Sequence, residues 1–493
     1  MVEAAEFLDR TGRQWSPFIA WTLENPSFDG DPFDLEATAT FVHGPSGESH
    51  TTGMFYDGGD TWKFRFTATR PGEWTFTTRS ADPDLDGRSG TVRVEPNQDG
   101  VGFMVPDGHK WCRQVGVEGE RRAFVPQFVM YTPDLKFLRD HPEHLEGAIR
   151  TFLEGHGFSG FHLPCIGGRW FDLDADSLVT VQMTDPDPRS FAVLEDVILR
   201  THRAGGVVHV WPWGDRQRRW TPTELEGGIN GPVDRRLQRY IAARLGPLPG
   251  WSMGYGFDLQ EWVDGERVKA WRDYVQGRMG WFHFLGGRAG GPTGGTDHSR
   301  YVPFNEPLDY AGYQHWKPTY QVYVAALEAI PGKPVMSEDR FRIRSRGKDY
   351  TMEETRRGLW HSAMAGGVAN IWGNLKPEAK EGGSSPYPRP EWIRTWATFF
   401  EGRFARDLVR DNALTDGVCL RSPGGERCVL YKEDAISLMM DLPATPRALP
   451  AVAVDAKRAY AELPLGELPP GRRTWQAPYA SDWAVAVGDF GGE

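Results

Sequence analysis

The stretch Lys333-Pro334-Val335-Met336-Ser337-Glu338-Asp339 is a short apolar run that ends on two carboxylates. Helical periodicity lies on either side of it. Upstream, over 313–329, Trp316, Tyr320, Tyr323, Val324 and Leu327 recur at helical spacing, and 352–365 forms an amphipathic stretch downstream. The alternation continues in both directions. Strand-like runs fall at 124–130, 158–163, 207–212, 251–258, 281–285, 301–304, 333–337 and 368–372. Further helical stretches lie at 143–155, 190–204, 233–244 and 266–279, with 391–405 after the last strand. Eight strand–helix repeats over roughly 280 residues predict a TIM barrel, (β/α)8, within an α/β class of fold. A doubly wound open sheet is the structural alternative. It usually carries a phosphate loop early, and none is present.

The flanks read differently. From residue 6 to about 97, Leu35, Ala37, Ala39 and Phe41 alternate with polar partners, as do Trp62, Phe64 and Phe66, then Trp74 and Phe76, and then Val92 and Val94. Turn signals such as Asp57-Gly58-Gly59-Asp60 and Pro71-Gly72 separate these runs, the pattern of a β-sandwich. Beyond residue 408 alternation returns in 418–420, 428–431, 436–440, 451–454 and 483–487, which predicts a second, smaller β-sandwich. The expected division is therefore 1–100, a barrel over 101–407, and 408–493.

Composition narrows the classes. A net charge of −11 is against a general affinity for nucleic acid. No run approaches the roughly 18 apolar residues of a membrane span. The start, Met1-Val2-Glu3-Ala4-Ala5-Glu6, lacks the features of a signal peptide, so the expected location is cytoplasmic. Cys112, Cys165, Cys419 and Cys428 are too scattered for a disulfide framework or a zinc site, and buried free thiols are expected. The 20 tryptophans suit both cores and the faces of sugar rings.

In a closed barrel the strand C-termini form the functional face. The residues delivered there include His162, His209, Trp211, Trp213, Asp215, Asp258, Gln260, Glu261, Trp262, His283, Arg288, Asn305, Glu306, Glu338, Arg340, Trp372 and Asn374. Such a rim of carboxylates, indoles and amides is what a sugar site requires. Cleavage of a glycosidic bond needs one protonated carboxyl to release the leaving group and one ionised carboxylate to attack or to activate water. Glu261, in Gly256-Phe257-Asp258-Leu259-Gln260-Glu261-Trp262, and Glu338 each end a strand-like run, on strands four and seven. The bland alternative for either is a rim salt bridge, with Arg340 or Arg342 as partner.

This placement resembles the clan of retaining (β/α)8-barrel glycoside hydrolases with catalytic glutamates on strands four and seven. The overall plan is similar to a multidomain bacterial group within it, whose N-terminal immunoglobulin-like domain carries a stretch like Phe41-Val42-His43, Gly53-Met54-Phe55-Tyr56-Asp57-Gly58-Gly59-Asp60-Thr61-Trp62-Lys63, Arg65-Phe66 and Pro71-Gly72-Glu73-Trp74-Thr75. The resemblance implies an immunoglobulin-like N-terminal β-sandwich and double displacement, with Glu338 as nucleophile and Glu261 as acid/base. In the clan an asparagine usually precedes the acid/base, and Gln260 stands there in this chain.

Alternatives remain open. Asn305-Glu306-Pro307 resembles the acid/base motif of several barrel glycosidases. The strand count places it on strand six, and a different count would put Glu306 in place of Glu261, with Asp258 a lesser rival three residues before Glu261. His209, His283 and Tyr301 are candidates to orient the nucleophile; Trp211, Trp213 and Trp372 are candidates for a sugar platform; and Gln260 and Arg340 are candidate substrate contacts. Arg340, Arg342, Arg344 and Arg346 alternate behind Glu338, either as a basic edge for an acidic sugar or as partners of Asp339, Asp349, Glu353 and Glu354. The Gly-rich 286–296 lacks the Lys-Ser/Thr of a phosphate loop. A metal-dependent hydrolase would want a His-x-His pair leaving strand one, which reads Phe124-Val125-Pro126-Gln127-Phe128-Val129-Met130, so no metal and no cofactor are expected. The rival from another class is a non-catalytic carbohydrate-binding protein on a barrel scaffold. The expected partner in either case is an oligosaccharide or polysaccharide.

Overall fold

A computed structural model of the chain describes residues 8–289, 295–342, 350–373 and 385–490, with the side chains of 339–342 outside the description. Eight parallel strands form its centre: β1 (Gln127–Met130), β2 (Gly160–Leu163), β3 (Val207–Val210), β4 (Trp251–Gly254), β5 (Leu285–Gly286), β6 (Ala311–Tyr313), β7 (Val335–Arg342) and β8 (Ala369–Gly373). Each pairs with its neighbour in chain order from β1 to β5 and from β6 to β8, and β8 returns to pair with β1. A single parallel bridge, Arg288 to Gly312, spans the last gap between β5 and β6. The protein is thus built on a (β/α)8 barrel.

The strand period of two sorts side chains between inside and outside. Phe128, Met130, Trp211, Phe284, Tyr310, Met336, Ala369 and Ile371 share the interior cluster. Their neighbours Val129, Phe161, Leu163, Val208 and Val210 join the larger cluster against the surrounding helices. The N-terminal mouth is closed by an antiparallel sheet of Val101–Asp107, Lys110–Val115 and Glu120–Phe124. From it Trp111 plugs the barrel, its indole N–H donating to the Val335 carbonyl (3.1 Å) and its ring 4.4 Å from that of Phe284.

The barrel departs from the sequence expectation at its fifth and sixth strands. Residues 301–304 are not a strand: Ser299–Tyr301 is a 3-10 turn that runs into a short helix, Val302–Asn305, with Pro303 in its first turn, where its missing N–H costs nothing. The sixth strand is Ala311–Tyr313, only three residues long. Its weak hold on β5 is supplemented by Asn305. The Asn305 amide donates to the Gly312 carbonyl (2.8 Å) and accepts from the Gly312 N–H (3.1 Å), standing in for a strand partner.

Ahead of the barrel, a five-stranded sheet and a three-stranded sheet enclose Trp21, Phe41, Phe64, Trp74 and Phe76, with Trp21 and Phe64 stacked at 5.0 Å. Behind it lies a six-stranded antiparallel sheet. Its longest strands, Cys428–Leu442 and Gly471–Val487, lose register between Lys432 and Ser437 and fold over, so that Leu430 and Val485 share a core with Leu438 and Met440. The N-terminal sandwich docks on the barrel through buried charge. Arg65 forks onto Glu195 (2.8 and 3.0 Å), Arg244 approaches the same carboxylate (2.7 and 3.1 Å), and Arg244 also reaches Asp57 (2.9 Å). Both guanidiniums lie against the Phe55 ring.

Candidate active site

Glu338 follows Met336 by two residues and therefore points into the barrel. Ser337 pairs with Asn370 and Arg340 with Ile371, so Glu338 and Asp339 occupy a bulge in β7. Bulges re-aim side chains at barrel rims. The carboxyl is fully buried. Its two oxygens have separate donors: the Tyr310 hydroxyl to Oε1 (2.7 Å) and the Trp211 indole N–H to Oε2 (2.9 Å). Burial pushes its pKa up to about 7, against the opposing pull of the Tyr310 hydroxyl, the Arg288 charge and the Trp211 N–H.

Glycine makes this close approach feasible. A Cβ on Gly286 would stand 2.1 Å from the Tyr310 ring, and one on Gly254 2.8 Å from its hydroxyl. A Cβ on Gly312 would meet the Gly287 carbonyl oxygen at 2.2 Å and Glu338 Oε1 at 3.0 Å. The strands β4, β5 and β6 each give up a side chain at the level where Tyr310 and Glu338 meet.

Arg288 ties the Glu338 side to the strand-four side. Its guanidinium donates to the Glu338 carbonyl (3.3 Å) and to Asp258 (2.8 Å), lying over the faces of Trp211 and Phe257 at 5.4 and 5.3 Å. Asp258 has a left-handed backbone (φ 54°), unusual for a residue with a side chain. The turn that follows, Leu259–Glu261, carries Gln260 and Glu261 to the surface. Glu261 is held above the ordinary carboxylate range, by partial burial first and then by the negative charges of Asp258 and Asp215, with Arg288 opposing. Three carboxyls, those of Glu338, Asp258 and Glu261, are thus within the influence of one guanidinium.

Other residues singled out from the sequence are placed elsewhere. His209 lies deep in the barrel, its Nε2 2.9 Å from the Tyr310 hydroxyl, and does not line the mouth. Trp211 is fully buried and serves Glu338 through its N–H rather than as an exposed platform. Trp213 is buried in the cluster outside the barrel. Trp372 faces outward, because Ile371 before it faces in, and donates to Gln127 (2.6 Å). His283 precedes β5, stacks on Trp251 at 4.3 Å and makes a hydrogen bond to the Gly246 carbonyl, so it lies below the mouth. Tyr301 is buried beside the end of β6 and donates to the Gln314 carbonyl (2.9 Å). Glu306 is exposed in the connection before β6, where its carbonyl accepts from Lys333 at the start of β7, at the opposite end of the barrel from the mouth. The side chain of Arg340, with Arg342, Arg344, Arg346 and Asn374, lies outside the described residues. Tyr310 escaped the sequence reading because it precedes its strand; only its proximity to the Ala311-Gly312-Tyr313 run signals it. Among the described residues no group of three or more His, Cys, Asp or Glu side chains is placed to hold a metal ion.

Comparison with known proteins agrees on architecture. Residues 11–81 match the model of a domain family described as a domain of unknown function, DUF5060. No curated protein matches the chain. Among solved structures, a candidate glycoside hydrolase from Bacteroides vulgatus ATCC 8482 aligns over 97% of this chain and 99% of its own, with a TM-score of 0.71 and 17% identity. A glycoside hydrolase family 5 protein from the same organism aligns over 80% of this chain and 94% of its own, with a TM-score of 0.58 and 12% identity. At these identities the likeness is one of fold.

Proposed function

We propose that the protein is a retaining glycoside hydrolase acting on an oligosaccharide or polysaccharide, with Glu338 as nucleophile and Glu261 as acid/base. The observation that carries this is the setting of Glu338: a buried carboxyl in a bulge at the C-terminal end of β7, with one donor on each oxygen. A structural carboxylate at that depth would be expected to sit in an ion pair. Glu338 instead has two neutral donors among the described residues, and the guanidinium of Arg288 is bonded to its backbone carbonyl and to Asp258. These donors pull toward the ionised form against the burial that raises the pKa to about 7, and they hold the carboxyl in place for attack on an anomeric carbon.

In the first step Glu338 bonds to the anomeric carbon as the leaving oxygen takes the proton of Glu261. In the second, Glu261 as carboxylate draws a proton from water, whose oxygen displaces Glu338. The direction of the Glu261 shift, toward the protonated form, is the one that an acid role calls for. A second reading assigns the acid to Asp258, whose left-handed backbone at the strand-four end is the kind of strain that functional sites retain. Its carboxylate is already engaged by Arg288 at 2.8 Å, which weighs against it.

The test is turnover of a panel of aryl glycosides, with the product anomer followed by NMR. Glu338→Gln is expected to lose on the order of 10³-fold or more in kcat. Glu261→Gln is expected to retain activity selectively on substrates with acidic leaving groups, which need no proton. If Asp258→Asn shows that selectivity and Glu261→Gln does not, Asp258 is the acid. A non-catalytic sugar-binding scaffold would show binding with no turnover in the unaltered chain.

A further inference from the structure

Below Glu338 the barrel interior holds two histidines that the chemistry above does not use. His162 of β2 and His209 of β3 are both fully buried, their Nδ1 atoms 2.9 Å apart and their rings stacked at 5.1 Å. His209 Nε2 lies 2.9 Å from the Tyr310 hydroxyl, which lies 2.7 Å from Glu338 Oε1. Four side chains from four regions of the barrel thus form one hydrogen-bonded line.

Counting protons fixes its direction. An ionised Glu338 has none to give, so the single hydroxyl proton of Tyr310 points to Oε1. The Tyr310 oxygen then accepts, which places the His209 ring proton on Nε2. Burial keeps His209 neutral, pushing its pKa down to about 3, so its Nδ1 is bare. The proton between the two rings must therefore come from Nδ1 of His162. One arrangement satisfies all three contacts.

We propose that His162 and His209 are positioning residues that fix the tautomer of His209 and so commit the Tyr310 proton to Glu338. This rests on the reading of Glu338 as nucleophile. With His162 gone, His209 is free to carry its proton on Nδ1. Its Nε2 becomes an acceptor, and the Tyr310 hydroxyl gains a second place to donate. Glu338 would then lose the donor on Oε1 for part of the time, and its charged form would be less favoured. Among the described residues, the other groups facing Glu338 are the Trp211 N–H at the end of β3 and Arg288 after β5, which brings Asp258 with it. His162 also packs edge-on against Trp211, with ring centroids 4.3 Å apart, so the line is isolated by the double variant, in which a route through Trp211 would add to the effect of losing the Tyr310 hydroxyl.

The experiment uses the full chain labelled with carboxyl-13C glutamate, the Glu338 resonance being assigned by its loss in Glu338→Gln. Tyr310→Phe is expected to raise the Glu338 midpoint by on the order of one pH unit. His162→Phe should move it in the same direction. The double variant should titrate as Tyr310→Phe alone, because the histidines act only through the hydroxyl. An unmoved midpoint in His162→Phe, or shifts that add in the double variant, would overturn the proposal. Should His162→Phe fail to fold, 15N-histidine spectra of the unaltered chain decide. The His209 signal, assigned by its loss in His209→Gln, is expected as the Nε2–H tautomer at a pH above the Glu338 midpoint, where that carboxyl is ionised, and the Nδ1–H tautomer there would refute the line. None of these measurements needs a substrate. Failure of the nucleophile reading, seen as turnover by Glu338→Gln, is therefore a separate result.

Discussion

A carboxyl group without solvent contact keeps its proton unless donors replace the lost water. Glu338 has two donors and still sits near pH 7, against an ordinary value of 4.5. The folded state therefore holds an extra proton between those values, and stability falls as pH rises from about 4.5 to about 7, then levels. Glu338→Gln removes this titration. Relative to the unaltered chain, the variant should gain stability between pH 5 and pH 8, by at most on the order of 3 kcal/mol. Thermal melts at the two pH values check this, and parallel curves would contradict it. The glutamate itself was legible in the sequence, because it ends an apolar run that can only be a buried strand. Its supporters were less so. Trp211 and His209 were visible as strand-three residues, but nothing in a linear pattern distinguishes an indole that meets sugar from one that donates to a buried carboxylate. Tyr310 was invisible for a similar reason: it acts from below the strand rather than from its end.

At the scale of elements, the barrel shows where periodicity suffices and where it fails. Runs such as Val207–Val210 and Val335–Arg342 carry β-branched residues and declare themselves. Ala311–Tyr313 contains none, is three residues long and holds its place through Asn305. The neighbouring Tyr301-Val302-Pro303-Phe304 is more apolar and mimics a strand, yet the chain uses it as a helical cap beside the sheet. The loss of both amide hydrogen bonds to Gly312 in Asn305→Ala should cost about 1–3 kcal/mol in denaturant unfolding. Asn305→Asp keeps the acceptor but turns a second carboxylate oxygen onto the Gly312 carbonyl in a buried setting, and should cost at least as much. Gly312→Ala places a carbon 2.2 Å from the Gly287 oxygen and 3.0 Å from Glu338 Oε1. It is predicted to reduce turnover more severely than it reduces thermal stability, since the added carbon presses on the Glu338 carboxyl as well as on the Gly287 carbonyl.

At the scale of the molecule, three units share one frame, and the seam between the first two is electrostatic. Glu195 lies between Arg65 of the sandwich and Arg244 of the barrel. Burial alone would raise its pKa, but the two guanidiniums outweigh that and hold it below the ordinary carboxylate range. The linkage has the opposite sign to that of Glu338: this stability is present above the unfolded pKa and is lost as pH falls through the lower folded value. Glu195→Ala leaves two buried cations facing each other and should destabilise the chain by about 3–5 kcal/mol in denaturant unfolding at neutral pH. A cost within the range of surface pairs, below about 1 kcal/mol, would show that the seam is held by its apolar contacts instead. The stretch from Phe55 to Phe66, distinctive in the sequence, is explained here: Phe55, Asp57 and Arg65 are the side chains that face the barrel.

The claim on which the rest depends is that Glu338 bonds to the sugar. Incubation with activated 2-deoxy-2-fluoro glycosides, whose fluorine slows the release of any covalent intermediate, followed by peptide mapping by mass spectrometry, tests it directly. The expected result is a fluoroglycosyl mass on the peptide containing Glu338 and none in Glu338→Gln. A label on Glu261, Asp258 or any other carboxylate would contradict it.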